Sequence, residues 1–345
     1  MNISGLNFSC LDNIANLLKQ RAGETKIGEV LCFAQHTDFQ ALKASGIDYV
    51  LLGLPEDIGP RANLGNGGAQ NGWPAFLHSF VNLQHNQFIP SEKIALLGEL
   101  DFSDLQASAE QNPDDIKTLR NLCCEIDSRV HHLLQQVFEA HLIPVVIGGG
   151  HNNAYPIIKA CSKAEQLPLA VANLDPHSDF RATEGRHSGN PFRYAATENY
   201  LSRYMVLGLH EQKNNQDALN AMREYDFRWI SIQDSHWSRK LNFDQCLEDC
   251  ARYLMHSGLP IGIELDVDCL TNMPASAITA AGMPYEDALY YVTEMAMLPK
   301  VKYLHLAEAA PDASSAAQMR AAGQILAELV CTFVKTDYAK KNQED

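Results

Sequence analysis

Three apolar runs in this chain end in the same chemistry, and that coincidence constrains the fold more than any other feature. The run Leu169 to Leu174 delivers Asp175-Pro-His177-Ser-Asp179, the run ending at Ile147 delivers Gly148-Gly-Gly-His151, and the run from Pro260 delivers Glu264-Leu-Asp266-Val-Asp268. On an extended backbone, residues at alternate positions point to one side, so Asp175, His177 and Asp179 share a side, as do Asp266 and Asp268. Three strand ends therefore carry six side chains of metal-ligand type.

Apolar runs bounded by glycine or charge recur near 48–54, 94–99, 143–147, 169–174, 204–208, 228–232, 260–266 and 301–306. Helical periodicity lies between several of them, most clearly over 115–140, where Ile116, Leu119, Cys123, Ile126, Val130, Leu133 and Val137 recur at three- and four-residue steps. Strands that alternate with helices and read as continuous Val/Ile/Leu runs point to a parallel sheet covered on both faces. The expected fold is α/β: three layers, α/β/α, with a mostly parallel sheet of about eight strands. In such sheets ligands bind beyond the carboxyl ends of the strands, where all three polar clusters lie.

The ligand types narrow the metal. Two imidazoles and four carboxylates without a thiolate suit Mn²⁺, with Ni²⁺, Co²⁺ or Fe²⁺ also compatible, better than a closed zinc–cysteine site. Six ligands are too many for one ion with an open position. They suffice for two ions sharing carboxylates, about 3.5–4 Å apart, with a water between them made nucleophilic near neutral pH.

The ordered set GGGH (148–151), DPHSD (175–179), HSGNPFR (187–193), LDVD (265–268) and AEAAP (307–311) resembles the ureohydrolase superfamily of arginases, agmatinases and formiminoglutamases, from about Asp48 to the C-terminal helix. The resemblance implies two Mn²⁺ ions, one held by His151, Asp175, Asp179 and Asp266, the other by Asp175, His177, Asp266 and Asp268. It also implies that Asp179 accepts a hydrogen bond from the bridging hydroxide and that Glu308 holds the cationic guanidinium or amidinium of a small-molecule substrate. Formiminoglutamase-like sequences often have GGGH where arginases and agmatinases have GGDH, so Gly150 favours N-formimidoyl-glutamate, cleaved to glutamate and formamide. Arg181 stands where arginases place an asparagine that contacts substrate. With Asn190, Arg193 and the rim residue Asn66, it forms the candidate substrate-binding set, and three arginines near the ligands (181, 186 and 193) suit an anionic tail. Arginases carry a proton-shuttling histidine where this chain has Phe192, which leaves His187 as the candidate for that role. Alternatives are a urea-releasing arginase, agmatinase or guanidinobutyrase, and a catalytically silent homologue that keeps the metals. Glu264 departs from the small residue or serine usual at its position, which alters the surroundings of the ligands.

Composition excludes several classes. A net charge of −15 and a pI near 5.3 argue against nucleic acid and anionic membrane surfaces as partners. No apolar run approaches the ~18 residues of a membrane span, and the N-terminus lacks a basic flank followed by an apolar segment, so the expected location is the cytoplasm. Nine cysteines without a repeated spacing read as free thiols. Residues 1–45 read as a helical extension, with a short helix marked by Leu11, Ile14, Leu17 and Leu18, and 46–340 as a single catalytic domain ending in a polar tail from Lys340. The glycine-rich stretch 59–69 matches neither the P-loop nor the dinucleotide-binding spacing. Homo-oligomers of three or six subunits are what the resemblance implies. Asn152 and Asn153 are expected to cap the helix after His151, and His210 and His305 to be packed or rim histidines.

Overall fold

The computed structural model describes residues 5–34, 36–238 and 240–344. Its sheet has ten strands: β1 (Leu6–Phe8), β2 (Cys32–Phe33), β3 (Tyr49–Gly53), β4 (Ile94–Leu100), β5 (Ile143–Ile147), β6 (Leu169–Leu174), β7 (Leu201–Leu209), β8 (Arg228–Ser231), β9 (Ile261–Asp266) and β10 (Val301–Ala307). The last eight are the eight apolar runs of the sequence. They lie in the order β4-β3-β5-β10-β9-β6-β7-β8, all parallel.

Sequence order breaks once in the middle of the sheet. Chain that has built β5 returns not beside it but three places away as β6, and β9 and β10 later fill the gap. That break is where an open α/β sheet forms its crevice. It makes neighbours of the carboxyl ends of β5, β10, β9 and β6.

Because side chains alternate along a strand, one sheet serves two cores. On one face Leu174, Ile263, Leu265, Leu304 and Leu306 pack with Trp73, Phe76, Leu247, Tyr291 and Leu326 from the helices 72–80, 243–255, 285–296 and 316–344. On the other, Val146, Val171 and Val206 pack with Leu119, Val130, Ile158 and Met222 from the helices 116–139, 154–165 and 216–224. The long helix expected over 115–140 begins where Asp115 accepts hydrogen bonds from the Lys117 and Thr118 amides at 3.1 and 3.2 Å.

Two expectations change. Residues before 46 form more than a helix: β1 pairs antiparallel and β2 parallel with β4, while the expected helix is only Leu11–Ala15, with Ile14 buried in the core. Two- and three-residue strands carry too little alternation to stand out in a sequence. At the other end the helix continues to Glu344 instead of fraying at Lys340. Asp337 is buried and paired with Lys340 and Lys341 at 2.7 Å and with the Tyr49 hydroxyl at 2.8 Å, and Lys340 also donates to the carbonyls of Ala296 and Leu298. Asp345 lies outside the described residues.

Candidate metal centre

His151 is placed by a glycine turn. After β5 the chain turns through Gly148 and Gly149 at φ of 88° and 70°, and a Cβ on Gly150 would stand 2.2 Å from the Pro60 ring. The buried carboxylate of Glu56 fastens this turn, accepting from the Gly150 amide at 2.9 Å and from the side-chain amides of Asn152 and Asn153 at 3.1 and 2.7 Å. Those two asparagines, expected as helix caps, are spent on Glu56. The sequence offered no sign of Glu56 beyond its place after a strand end.

The other ligand-type side chains are set by tight turns after β6 and β9. Asp175 accepts from the His177 amide at 2.6 Å and from Asn173 at 3.0 Å, and Asp266 accepts from the Asp268 amide at 2.9 Å. Two groups result. In the first, Nδ1 of His151 stands 2.9, 3.2 and 3.4 Å from carboxylate oxygens of Asp179, Asp175 and Asp266. In the second, Nδ1 of His177 stands 3.3 and 3.5 Å from oxygens of Asp268 and Asp175. Both groups bring ligand atoms close enough to share an ion, with Asp175 common to the two. Asp266 falls in the first group and not in the second. A third group, His151 with Glu264 and His305, was not foreseen.

The donor set fits divalent cations. Nδ1 of His151 and one oxygen of Asp268 are buried without a hydrogen-bond partner, which protein interiors rarely tolerate unless an ion or water completes them. The electrostatics agree: burial and the charges of Asp268 and Asp175 push the Asp266 carboxyl well up, and burial with Asp175 lifts Asp179 to about 6. Burial opposes ionisation of Asp175 too, but the imidazoles of His151 and His177, 3.2 and 3.5 Å away, hold it at about 2. So many buried carboxylates within a few ångströms need positive charge among them.

Glu308, just past β10, faces the same crevice. It accepts from the His151 amide at 2.7 Å and from the Ser276 hydroxyl, and burial pushes its carboxyl up to about 8. Glu308 and Asp179 are both held at left-handed φ, 67° and 44°, a conformation that side chains other than glycine adopt at a cost and that gathers at functional sites.

Above these groups lies a cleft of about 500 Å³ lined by His177, Asp179, Arg181, Lys213, Ser276 and Glu308, among others. Arg181 and Lys213 are its cations, and Lys213 donates to the Thr279 hydroxyl at 2.7 Å. Lys213 and Ser276 escaped the sequence reading, although Lys213 follows the carboxyl end of β7. Three residues of the candidate substrate set lie off this cleft. Asn66 donates to the Ser276 carbonyl at 2.9 Å. Asn190 donates to the carbonyls of Ala182 and Gly185 and accepts from Arg186 at 2.8 Å. Arg193 pairs with Asp217 at 2.8 Å over the Phe180 ring. His187 is fully buried; its Nδ1 accepts from the Gly189 amide at 3.1 Å, its Nε2 is 2.9 Å from Asn190, and burial with the nearby Arg120, Arg181 and Arg186 lowers it to about 3.

Known proteins resemble this chain in sequence and fold. The Arginase family profile covers residues 47–332. A formimidoylglutamase of Aromatoleum aromaticum is 30% identical over 183 residues, half of each chain, so the match spans about half the length of that relative. One of Macrococcus caseolyticus is 22% identical over 282 residues, 81% of this chain and 82% of that one. The crystal structure of Trypanosoma cruzi formiminoglutamase with Mn²⁺ superposes with a TM-score of 0.71 at 22% identity, covering 90% of this chain and 99% of the other. With the profile spanning the sheet from β3 to the last helix and every ligand-bearing turn within it, the chain belongs to the Arginase family.

Proposed function

We propose that this chain is a dinuclear-metal hydrolase of linear amidines and that its substrate is N-formimidoyl-glutamate, cleaved to glutamate and formamide. One observation carries the reading: two groups of ligand-type side chains and the buried Glu308 carboxylate floor a single cleft whose cations are Arg181 and Lys213. His151, Asp175, Asp179 and Asp266 would hold one ion and Asp175, His177, Asp266 and Asp268 the other, Mn²⁺ foremost. When bound, such ions supply Lewis acidity and a water nucleophilic near neutral pH.

The chain's own residues do the rest. Glu308, its two oxygens fixed by the His151 amide and the Ser276 hydroxyl, pairs with the amidinium and holds its carbon over the ligand groups. Asp179 accepts a hydrogen bond from the attacking water and takes its proton as the C–O bond forms. Arg181 and Lys213 receive the substrate's carboxylates. Asp179 then passes that proton to the glutamate nitrogen as its C–N bond breaks, so that the amine leaves neutral and the remaining carbon becomes formamide. His187, neutral and held by its own loop, keeps that loop's shape and moves no proton. The names of the relatives support the substrate. A guanidino substrate that releases urea is the second reading, favoured by the same Glu308 geometry, which suits guanidinium equally.

The remaining parts of the reading are a cytoplasmic homo-oligomer, a trimer or hexamer, with one catalytic domain over 46–340 and the first 45 residues as an extension of it. No helix among the described residues is long and apolar enough to cross a membrane. The test is product formation from formimidoyl-glutamate, arginine, agmatine, guanidinobutyrate and guanidine by protein loaded with Mn²⁺, with Ni²⁺ or with no metal, beside D266A. Glutamate and formamide from the first alone are expected. Urea from a guanidino compound would overturn the substrate, and no turnover with any metal would overturn the enzyme.

A further inference from the structure

The column of buried polar groups behind the first ligand group has no part in the chemistry above. Glu264 on β9 and His305 on β10 are register partners in adjacent parallel strands, and both are fully buried. One oxygen of Glu264 accepts from the Tyr303 hydroxyl at 2.8 Å; the other lies 2.6 Å from Nδ1 of His305 and 3.5 Å from Nε2 of His151. The backbone is cut to fit this column: a Cβ on Gly262 would stand 2.4 Å from the Tyr303 phenol. The His151 ring is also held edge-on by Phe192, with centroids 5.2 Å apart and planes at 88°.

We infer that Glu264 is the positioning residue of the first ligand group: its carboxylate accepts a hydrogen bond from the Nε2–H of His151, which keeps the proton on Nε2 and leaves Nδ1 bare towards Asp175, Asp179 and Asp266. This inference rests on the metal-centre reading above. Nε2 has no other partner, and closing 3.5 Å to hydrogen-bond length takes a movement of only ~0.5 Å. A histidine that donates its distal N–H to a carboxylate is oriented and made a stronger ligand, and loss of such a partner weakens metal binding about 10- to 100-fold. Tyr303 and His305 act one step further back, each saturating an oxygen of Glu264 so that the carboxylate keeps a single orientation. The second ligand group, built on His177, touches none of this column and is left alone by it.

The test is calorimetric Mn²⁺ titration of the full chain and of E264Q, with electron paramagnetic resonance of the loaded proteins. Wild type is expected to take up two ions and show a spin-coupled pair. E264Q is expected to lose 10- to 100-fold in affinity at one site only, and at two equivalents to show the six-line signal of isolated Mn²⁺. Y303F, which keeps the carboxylate and removes one donor, is expected to shift the same site in the same direction by a few fold, and it decides the matter should E264Q not fold. Two unchanged affinities in a folded E264Q, or an unchanged Y303F where E264Q does not fold, would reduce the column to structural packing and overturn the inference. A wild-type chain that binds no ion would overturn the metal-centre reading itself.

Discussion

Removing the Asp127 carboxylate should destabilise this protein more than almost any single change outside the ligand turns. Asp127, on the helix 116–139, forms a two-pronged pair with Arg186: Nε to Oδ2 at 2.7 Å and Nη2 to Oδ1 at 3.1 Å. The guanidinium also donates to the Asn152 carbonyl and to Asn190, both at 2.8 Å, and lies against the Tyr155 and Tyr194 rings at 4.7 and 4.9 Å. It is 3% exposed. D127A leaves a cation that cannot shed its proton, buried with two donors unpaired, and breaking a buried pair from one side costs about 3–5 kcal/mol. R186M empties the same pair from the other side and strips donors from Asn152 and Asn190, worth about 1–3 kcal/mol per orphaned group. The double variant has no stranded charge, so it should be more stable than the sum of the singles predicts, by about 2 kcal/mol or more. Urea denaturation of the four metal-free proteins, followed by circular dichroism, measures all of this. A loss below about 1 kcal/mol in D127A, or strict additivity, would refute the claim that the pair is buried and coupled.

Three shorter predictions follow from the same geometry. S276A strips the Ser276 donor from the buried Glu308 carboxylate and should lower kcat/KM about tenfold, equivalent to about 1.4 kcal/mol, in steady-state kinetics; an unchanged value would remove Ser276 from the site. Neighbouring carboxylates outweigh burial and hold His151 and His177 well above the ordinary histidine range, so both carry protons at pH 7 that a metal must displace. Mn²⁺ uptake should therefore release protons and tighten as pH rises, which calorimetry in two buffers of different ionisation enthalpy checks; uptake without proton release would contradict it. D337N should cost about 2 kcal/mol at neutral pH. Its salt bridges hold Asp337 below the usual carboxylate range against burial, so the wild-type advantage is complete above that range and shrinks as the pH falls through it. Urea midpoints at pH 7 and at the lowest pH where both fold test this, and a gap that widens in acid would contradict it.

What the sequence determined by itself is local in origin. Eight strands were legible because each contains an apolar run, and the helix 116–139 because its buried positions recur every three or four residues. Five of the six ligand-type residues were legible because D-x-H-x-D and D-x-D are one-sided on an extended chain, and His151 because it closes a glycine turn after an apolar run; the structure gathers them by tight turns instead, with Asp179 at left-handed φ. Tertiary structure alone decided what lies between distant segments. It placed β9 and β10 between β5 and β6, so that four strand ends far apart in the chain share one crevice. It brought Lys213 to the cleft, and it left Asn66, Asn190 and Arg193 out of the lining, tied to the Ser276 carbonyl, Arg186 and Asp217. It also gave Glu264 its neighbours: a glutamate inside an apolar strand reads as an anomaly until the register of β9 against β10 sets His305 beside it and the turn after β5 lowers His151 onto it. Side-chain period is written in the chain, but which strand lies beside which depends on how helices pack across both faces, and no local pattern carries that information.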